Sequence, residues 1–120
     1  VGGQYWKSYK SHRNFVRVEA MCQNSPKCFL LSEVDYNYKK FNKLSKVIVG
    51  ESSWRVDAIG DGGKAYGPAQ FHLPTFNNFK AQANLGNLDY KNWQDQLKLF
   101  VWAMNNGKQN HWTVYRNLYN

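Results

Sequence analysis

A chain of 120 residues is the size of one domain with one core, large enough to fold without staples. A hydrophobic fraction of 42% with five Trp, eight Tyr and seven Phe excludes a disordered chain, and no apolar run approaches the length of a membrane span. Sixteen Lys and Arg against eight Asp and Glu give +8, which points to a polyanionic partner without choosing among nucleic acid, anionic lipid and bacterial wall.

So many Tyr and Trp exceed what so small a core encloses, so some are expected to line a groove and stack on sugars or bases. The basic residues are scattered (Lys7, Lys10, Arg13, Arg17, Lys39, Lys40, Lys43, Lys46) and form no block, so solubility accounts for most of them. The chain begins at Val1 rather than Met, and residues 1–13 are polar and aromatic without clear period. They are expected to pack loosely or to be the remnant of a longer chain, a leader or upstream region having been removed.

Asn14 is placed to cap a first helix carrying Phe15, Val18 and Cys22. Ser25-Pro26 interrupts it, and a second short helical piece is expected around Phe29 to Val34. Cys22 and Cys28, the only cysteines, enclose five residues. That spacing suits a small disulfide loop worth about 2 kcal/mol, with two buried free thiols as the competing reading. The disulfide is preferred, and with it an exported protein. No metal or cofactor is expected: two Cys at this spacing match no zinc pattern, and His12, His72 and His111 are far apart in sequence.

Lys40 to Ser53 reads as the next helix, with Phe41, Leu44, Val47 and Ile48 as its apolar stripe. Gly60-Asp61-Gly62-Gly63 is then a turn signal between Asp57-Ala58-Ile59 and Lys64-Ala65-Tyr66, predicting a short β-hairpin. Gly67-Pro68 is read as opening a helix that restarts at Pro74-Thr75, with Phe76, Phe79 and Ala83 on one face. Gly86 to Tyr90 is a loop. Asn92 caps a helix with Trp93, Leu97, Phe100, Val101 and Met104 in one stripe, Gly107 ends it, and a last helix carries Trp112, Tyr115 and Tyr119. The expected fold is mainly α: one helical domain over 1–120 with a single small hairpin.

Glu51 stands out against this pattern. It lies three residues past Ile48, four past Val47 and seven past Leu44, so a carboxylate continues the apolar stripe at the helix end. Partly desolvated there, it would hold its proton toward neutral pH, as a general acid must. The plainer reading is a Glu that turns out to water where the stripe stops.

Glu51-Ser52-Ser53-Trp54, the Asp57 to Gly63 turn, and Tyr66-Gly67-Pro68-Ala69-Gln70-Phe71 together resemble the lysozyme-like lytic transglycosylase superfamily. Its members include soluble lytic transglycosylases, goose-type lysozymes and phage murein hydrolases. The likeness covers Lys40 to Phe79 and extends more weakly to the Trp93 helix and to His111-Trp112-Thr113. Pro68 departs from it, since most relatives carry a bulky aliphatic residue there.

The resemblance implies an α+β lysozyme-like fold and cleavage of the MurNAc-β-1,4-GlcNAc bond of peptidoglycan with Glu51 as the single catalytic residue, first acid and then base, giving 1,6-anhydro products. The alternatives are hydrolysis of lysozyme type with Asp61 as a second carboxylate, or a domain that binds glycan or builds a particle without cutting. Asp61 in a Gly-rich tip is also simply a good turn former. Substrate-binding expectations fall on Ser52, Tyr66, Gly67, Gln70, Trp112 and Tyr115, and Trp54 is a further stacking candidate. Gly67 permits close approach to a ligand or merely makes a turn. Gln70 offers a donor and an acceptor to a sugar or ties hairpin to helix. Ser52 is read as a helix-terminal hydrogen bonder and not a nucleophile, because no His-Asp partnership is evident nearby. The partner expected is the glycan strand and not nucleic acid, and the protein is read as a monomer or part of a larger assembly. Its expected place is the periplasm, the cell envelope, the extracellular space or a phage virion.

Overall fold

The computed structural model describes residues 22–120. The expectations for residues 1–13, for the helix capped by Asn14 with Phe15 and Val18, and for His12 lie outside them. The described chain is mainly helical, with a small three-stranded antiparallel sheet.

Helix α1 (Pro26–Glu33) starts with Pro in its first turn, where no backbone N–H is needed, and the Ser25 hydroxyl accepts from the Cys28 N–H. Cys22 and Cys28 form a disulfide, so the start of α1 is tied to the chain before it. Helix α2 (Tyr38–Ser52) is capped by Asn37, whose side chain accepts from the Lys40 N–H at 3.0 Å. Leu44, Val47 and Ile48 are buried and Phe41 packs half-buried against the core, as their spacing requires. The helix stops because Ser53 and Trp54 adopt left-handed backbone (φ 53° and 65°).

The hairpin pairs β1 (Ile59–Gly60) with β2 (Ala65–Tyr66) across a 3-10 turn at Asp61–Gly63. The segment after it corrects the sequence reading. Gly67 to Gln70 is a tight turn rather than a helix start, and it leads into a third strand, β3 (Phe71–His72), paired with β2. Gly67 and Gln70 take positive φ, 88° and 53°, which reverses the chain instead of winding it. Helix α3 (Leu73–Gln82) starts only afterwards, with Pro74 in its first turn.

Helix α4 (Trp93–Asn105) is capped by Asn92, which accepts from the Asp95 N–H at 2.9 Å. It buries more than the expected stripe: Gln96, Leu99 and Ala103 are enclosed together with Leu97, Phe100 and Val101. Gly107 follows at φ 77°, and a 3-10 turn at Gln109–His111 leads to α5 (Thr113–Tyr119). Phe29, Leu30, Val47, Ile48, Phe71, Phe76, Leu97 and Phe100 make the centre of a single core cluster. Among the described residues, no helix is long and apolar enough to cross a membrane.

Candidate active site

Two devices bring distant segments to the end of α2. Gly50 in its last turn carries no Cβ, and Val114 of α5 fills that space; a Cβ there would stand 2.6 Å from Val114 Cγ1. On the other side, Gln70 draws the sheet in. Its side-chain amide donates to the carbonyl oxygens of Ala58 and Gly67, both at 2.9 Å, and the Gly67 N–H donates to the same Ala58 oxygen at 2.8 Å. The Gln70 side-chain oxygen then occupies the space where Gly60 would carry a Cβ.

Between these walls lies a cleft of about 400 Å³, lined by Glu51, Asp61, Ala65, Gln70, His72, His111, Trp112, Thr113 and Val114. Its volume falls in the range of small-ligand sites. Gly60, Ala65 and His72 stand in register across the three strands, so they share one face, and two of the three are small.

Glu51 is half-buried, and burial pushes its carboxyl up from the ordinary value. The C-terminal end of a helix dipole acts in the same direction. Glu33 is also raised, by burial first, with Lys98 opposing and Asp35 adding to the shift, yet it lines no such cleft. The proton affinity alone does not single out Glu51; its place in the cleft does.

Asp61 enters the cleft from the hairpin tip at φ 53°. Its Oδ2 lies 2.7 Å from His72 Nε2, close enough for the ring N–H to donate to the carboxylate. His111 packs edge-on against Phe79 and Trp112. Partial burial, then the neighbouring His72 and Arg116, lower its proton affinity, which favours a neutral imidazole. Neither histidine was legible as a site residue. Their separation along the chain argues only against a shared metal, and no His-Asp partnership is evident in the sequence around Ser52. The structure contains one. Among the described residues no group of three or more His, Cys, Asp or Glu is arranged to hold a metal ion.

Several expected substrate contacts are corrected. Ser52 is buried and donates its hydroxyl to the Ile48 carbonyl at 3.3 Å, a back-bond within α2. Tyr66 lines no part of the cleft; it packs on Tyr90, with Lys91 Nζ 3.9 Å from its ring centre. Gly67 makes room for a side chain rather than a ligand, because the Gln96 carboxamide fills the space a Cβ would take. Trp112 is 3% exposed and serves as the cleft's floor, its ring edge-on to Phe71 and Phe100. Tyr115 lies in a different groove, with Asn37, Lys39, Lys40 and Lys43. Trp54 stacks on Phe41 and also misses the cleft. Of the expected sugar contacts, Gln70 and Trp112 line the cleft, and Gln70 there also ties the hairpin.

Compared with known proteins, the chain matches no family model, no curated protein and no solved structure.

Proposed function

We propose that this chain is an exported or phage-borne enzyme that cuts the MurNAc-β-1,4-GlcNAc bond of peptidoglycan as a lytic transglycosylase. The observation that carries this reading is the half-buried Glu51 carboxyl in the wall of an open cleft, where burial favours its protonated form. Protonated, it is a general acid for the glycosidic oxygen. In the transglycosylase reaction the Glu51 carboxylate so formed then takes the proton of the sugar's own C6 hydroxyl as that oxygen attacks C1 and closes the anhydro ring without water. The Glu-Ser, Gly-rich hairpin and Gly-x-x-Gln resemblance supplies the substrate class, and the disulfide agrees with an oxidising compartment. The positive charge suits an anionic wall.

Hydrolysis is the second reading, and one observation favours it. Asp61 shares the cleft with Glu51, as the second carboxylate of a hydrolase would.

Digestion of purified peptidoglycan by the wild type and by Glu51→Gln, read by mass spectrometry, tests both. Anhydro ends, lighter by one water than reducing ends, support transglycosylation; reducing ends replace it with hydrolysis. Unchanged cleavage by the variant removes Glu51 as the acid. Intact glycan bound equally by both proteins would leave a wall-binding domain, and severed stem peptides would replace both readings.

A further inference from the structure

We propose that the basic groove at the start of α2 is a second substrate subsite, which takes the carboxylates of an acidic stem peptide on the strand being cut. Resting on the glycan-cleaving reading, this role adds to it a preference for strands that still carry their peptides.

Lys39, Lys40 and Lys43 line the groove together with Asn37 and Tyr115, and no carboxylate lines it. Asp35 opens instead on the neighbouring hollow, which shares Asn37 and Lys40. The three ammonium groups sit where the helix itself opposes them. The start of α2 carries the positive end of its dipole, and its first turn holds no acidic residue. Like charge gathered at that end is relieved by an anion from outside.

Two of the lysines are held in place. Lys43 Nζ stands 5.4 Å from the Tyr115 ring centre and 4.9 Å from that of Tyr119, and the Tyr119 hydroxyl donates to the Lys43 carbonyl at 3.0 Å. Lys40 Nζ donates to Asn105 Oδ1 at the end of α4. Rings and a neutral amide fix these ammonium groups without cancelling their charge.

Continuity with the cleft selects the anion. Helix α5 follows α2 from Val114, against Gly50, to Tyr119, against Lys43. Thr113 and Val114 line the cleft and Tyr115 the groove, so the two adjoin through one stretch of helix. Along α2, Lys43 and Glu51 are separated by about 12 Å. A strand held at Glu51 therefore brings its own nearby substituents to the groove. In peptidoglycan the acidic groups carried regularly along the strand are those of the stem peptides.

The test uses glycan strands of one length range, freed of phosphate polymers, with one portion stripped of stem peptides by an amidase. Initial rates of the wild type are compared with those of Lys39→Ala, Lys40→Ala and Lys43→Ala combined, with melting curves to verify folding. On stem-bearing strands the triple variant is expected to raise KM on the order of tenfold with kcat nearly unchanged. On stripped strands both proteins should share one KM, and added salt should bring the wild-type values for the two substrates together. The corresponding triple Arg variant keeps the charge and should keep the wild-type KM. Should the triple Ala variant not fold, Lys39→Glu, at an exposed position, is expected to raise the same KM several-fold. An equal rise on both substrates, or none on either, overturns the inference. So does a rise that appears only when phosphate polymers are left on the strands. If the wild type releases no glycan fragments, the glycan-cleaving reading fails and this inference with it. If the wild type cuts, and Glu51→Gln binds stem-bearing and stripped strands equally, this inference alone is defeated.

Discussion

Trp112 donates its indole N–H to the carbonyl oxygen of Ala69 at 2.9 Å, binding the segment before α5 to the turn that carries Gln70. Its ring is enclosed by Phe71, Phe79, Phe100 and His111. Trp112→Phe keeps most of the packing but leaves the Ala69 carbonyl without its donor, and is expected to cost about 1–3 kcal/mol. Trp112→Ala removes the ring as well, for about 3–5 kcal/mol. Urea midpoints measure both. A Trp112→Ala protein as stable as the wild type would return this residue to the role of a surface sugar platform.

Gly67→Ala is expected to destabilise by more than about 1 kcal/mol for two separable reasons. The backbone there has φ 88°, and the Gln96 carboxamide stands where the new methyl would go. Gln96 cannot easily move, since its amide donates to the Tyr66 and Tyr90 carbonyls at 2.8 and 2.9 Å. A double-mutant cycle with Gln96→Ala isolates the steric part: the Gly67→Ala penalty should shrink once Gln96 is shortened. Purely additive effects would assign the whole penalty to the backbone.

Glu51→Gln should abolish glycan cleavage and raise stability at neutral pH. Burial raises the carboxyl's proton affinity in the fold, so the native state binds more protons than the unfolded chain. The stability tied to that proton is present below the unfolded-state value and is lost as pH rises through the raised native one. The neutral amide avoids this loss. Melting temperatures should therefore differ by roughly a few degrees near neutrality and converge in acid below the ordinary carboxylate range. A pH-independent difference would mean that Glu51 is not desolvated. For the same reason, the alkaline limb of wild-type activity should lie above the range of an ordinary glutamate.

Wall retention should depend on Lys39, Lys40 and Lys43, which line one groove of about 290 Å³ together with Tyr115. Lys43 Nζ lies 5.4 Å from the Tyr115 ring centre and 4.9 Å from that of Tyr119, and no carboxylate lines the groove. Replacing all three lysines with Ala should weaken sedimentation with peptidoglycan on the order of tenfold at low salt and flatten its salt dependence. Cleavage of short soluble glycan should be spared, because Lys43 and Glu51 are separated by about 12 Å along α2. Unaltered sedimentation would place the wall-binding charge elsewhere.

Cys22→Ser with Cys28→Ser should lower stability by about 2 kcal/mol, the chain-entropy value for so short a loop. Chemical denaturation with and without reductant measures it. An effect of reductant on the double variant would trace the change to something other than this bond.

Much of the helical framework was legible because helix caps and apolar period act over four residues. Asn37 and Asn92 cap where short polar acceptors should, and Leu44, Val47 and Ile48 bury as their spacing demands. The Pro68 reading failed for a local reason as well. Pro suits the first turn of a helix, but positive φ at Gly67 and Gln70 turns the segment back into a third strand, and the sequence pattern does not display that backbone state.

By itself the sequence determined the helix phases, the Gly-rich tip and the arrival of a carboxylate at the end of the α2 stripe, since each follows from neighbours a few bonds away. Only the tertiary structure decided which side chains surround that carboxylate. Asp61, His72, His111 and Val114 line one cleft with Glu51 because Gly50 admits α5 and Gln70 draws in the sheet. Aromatic spacing could not tell groove from core, so Trp112 went to the floor and Tyr115 to another face. Burial of a ring is set by every element that closes over it, and those contacts span tens of residues.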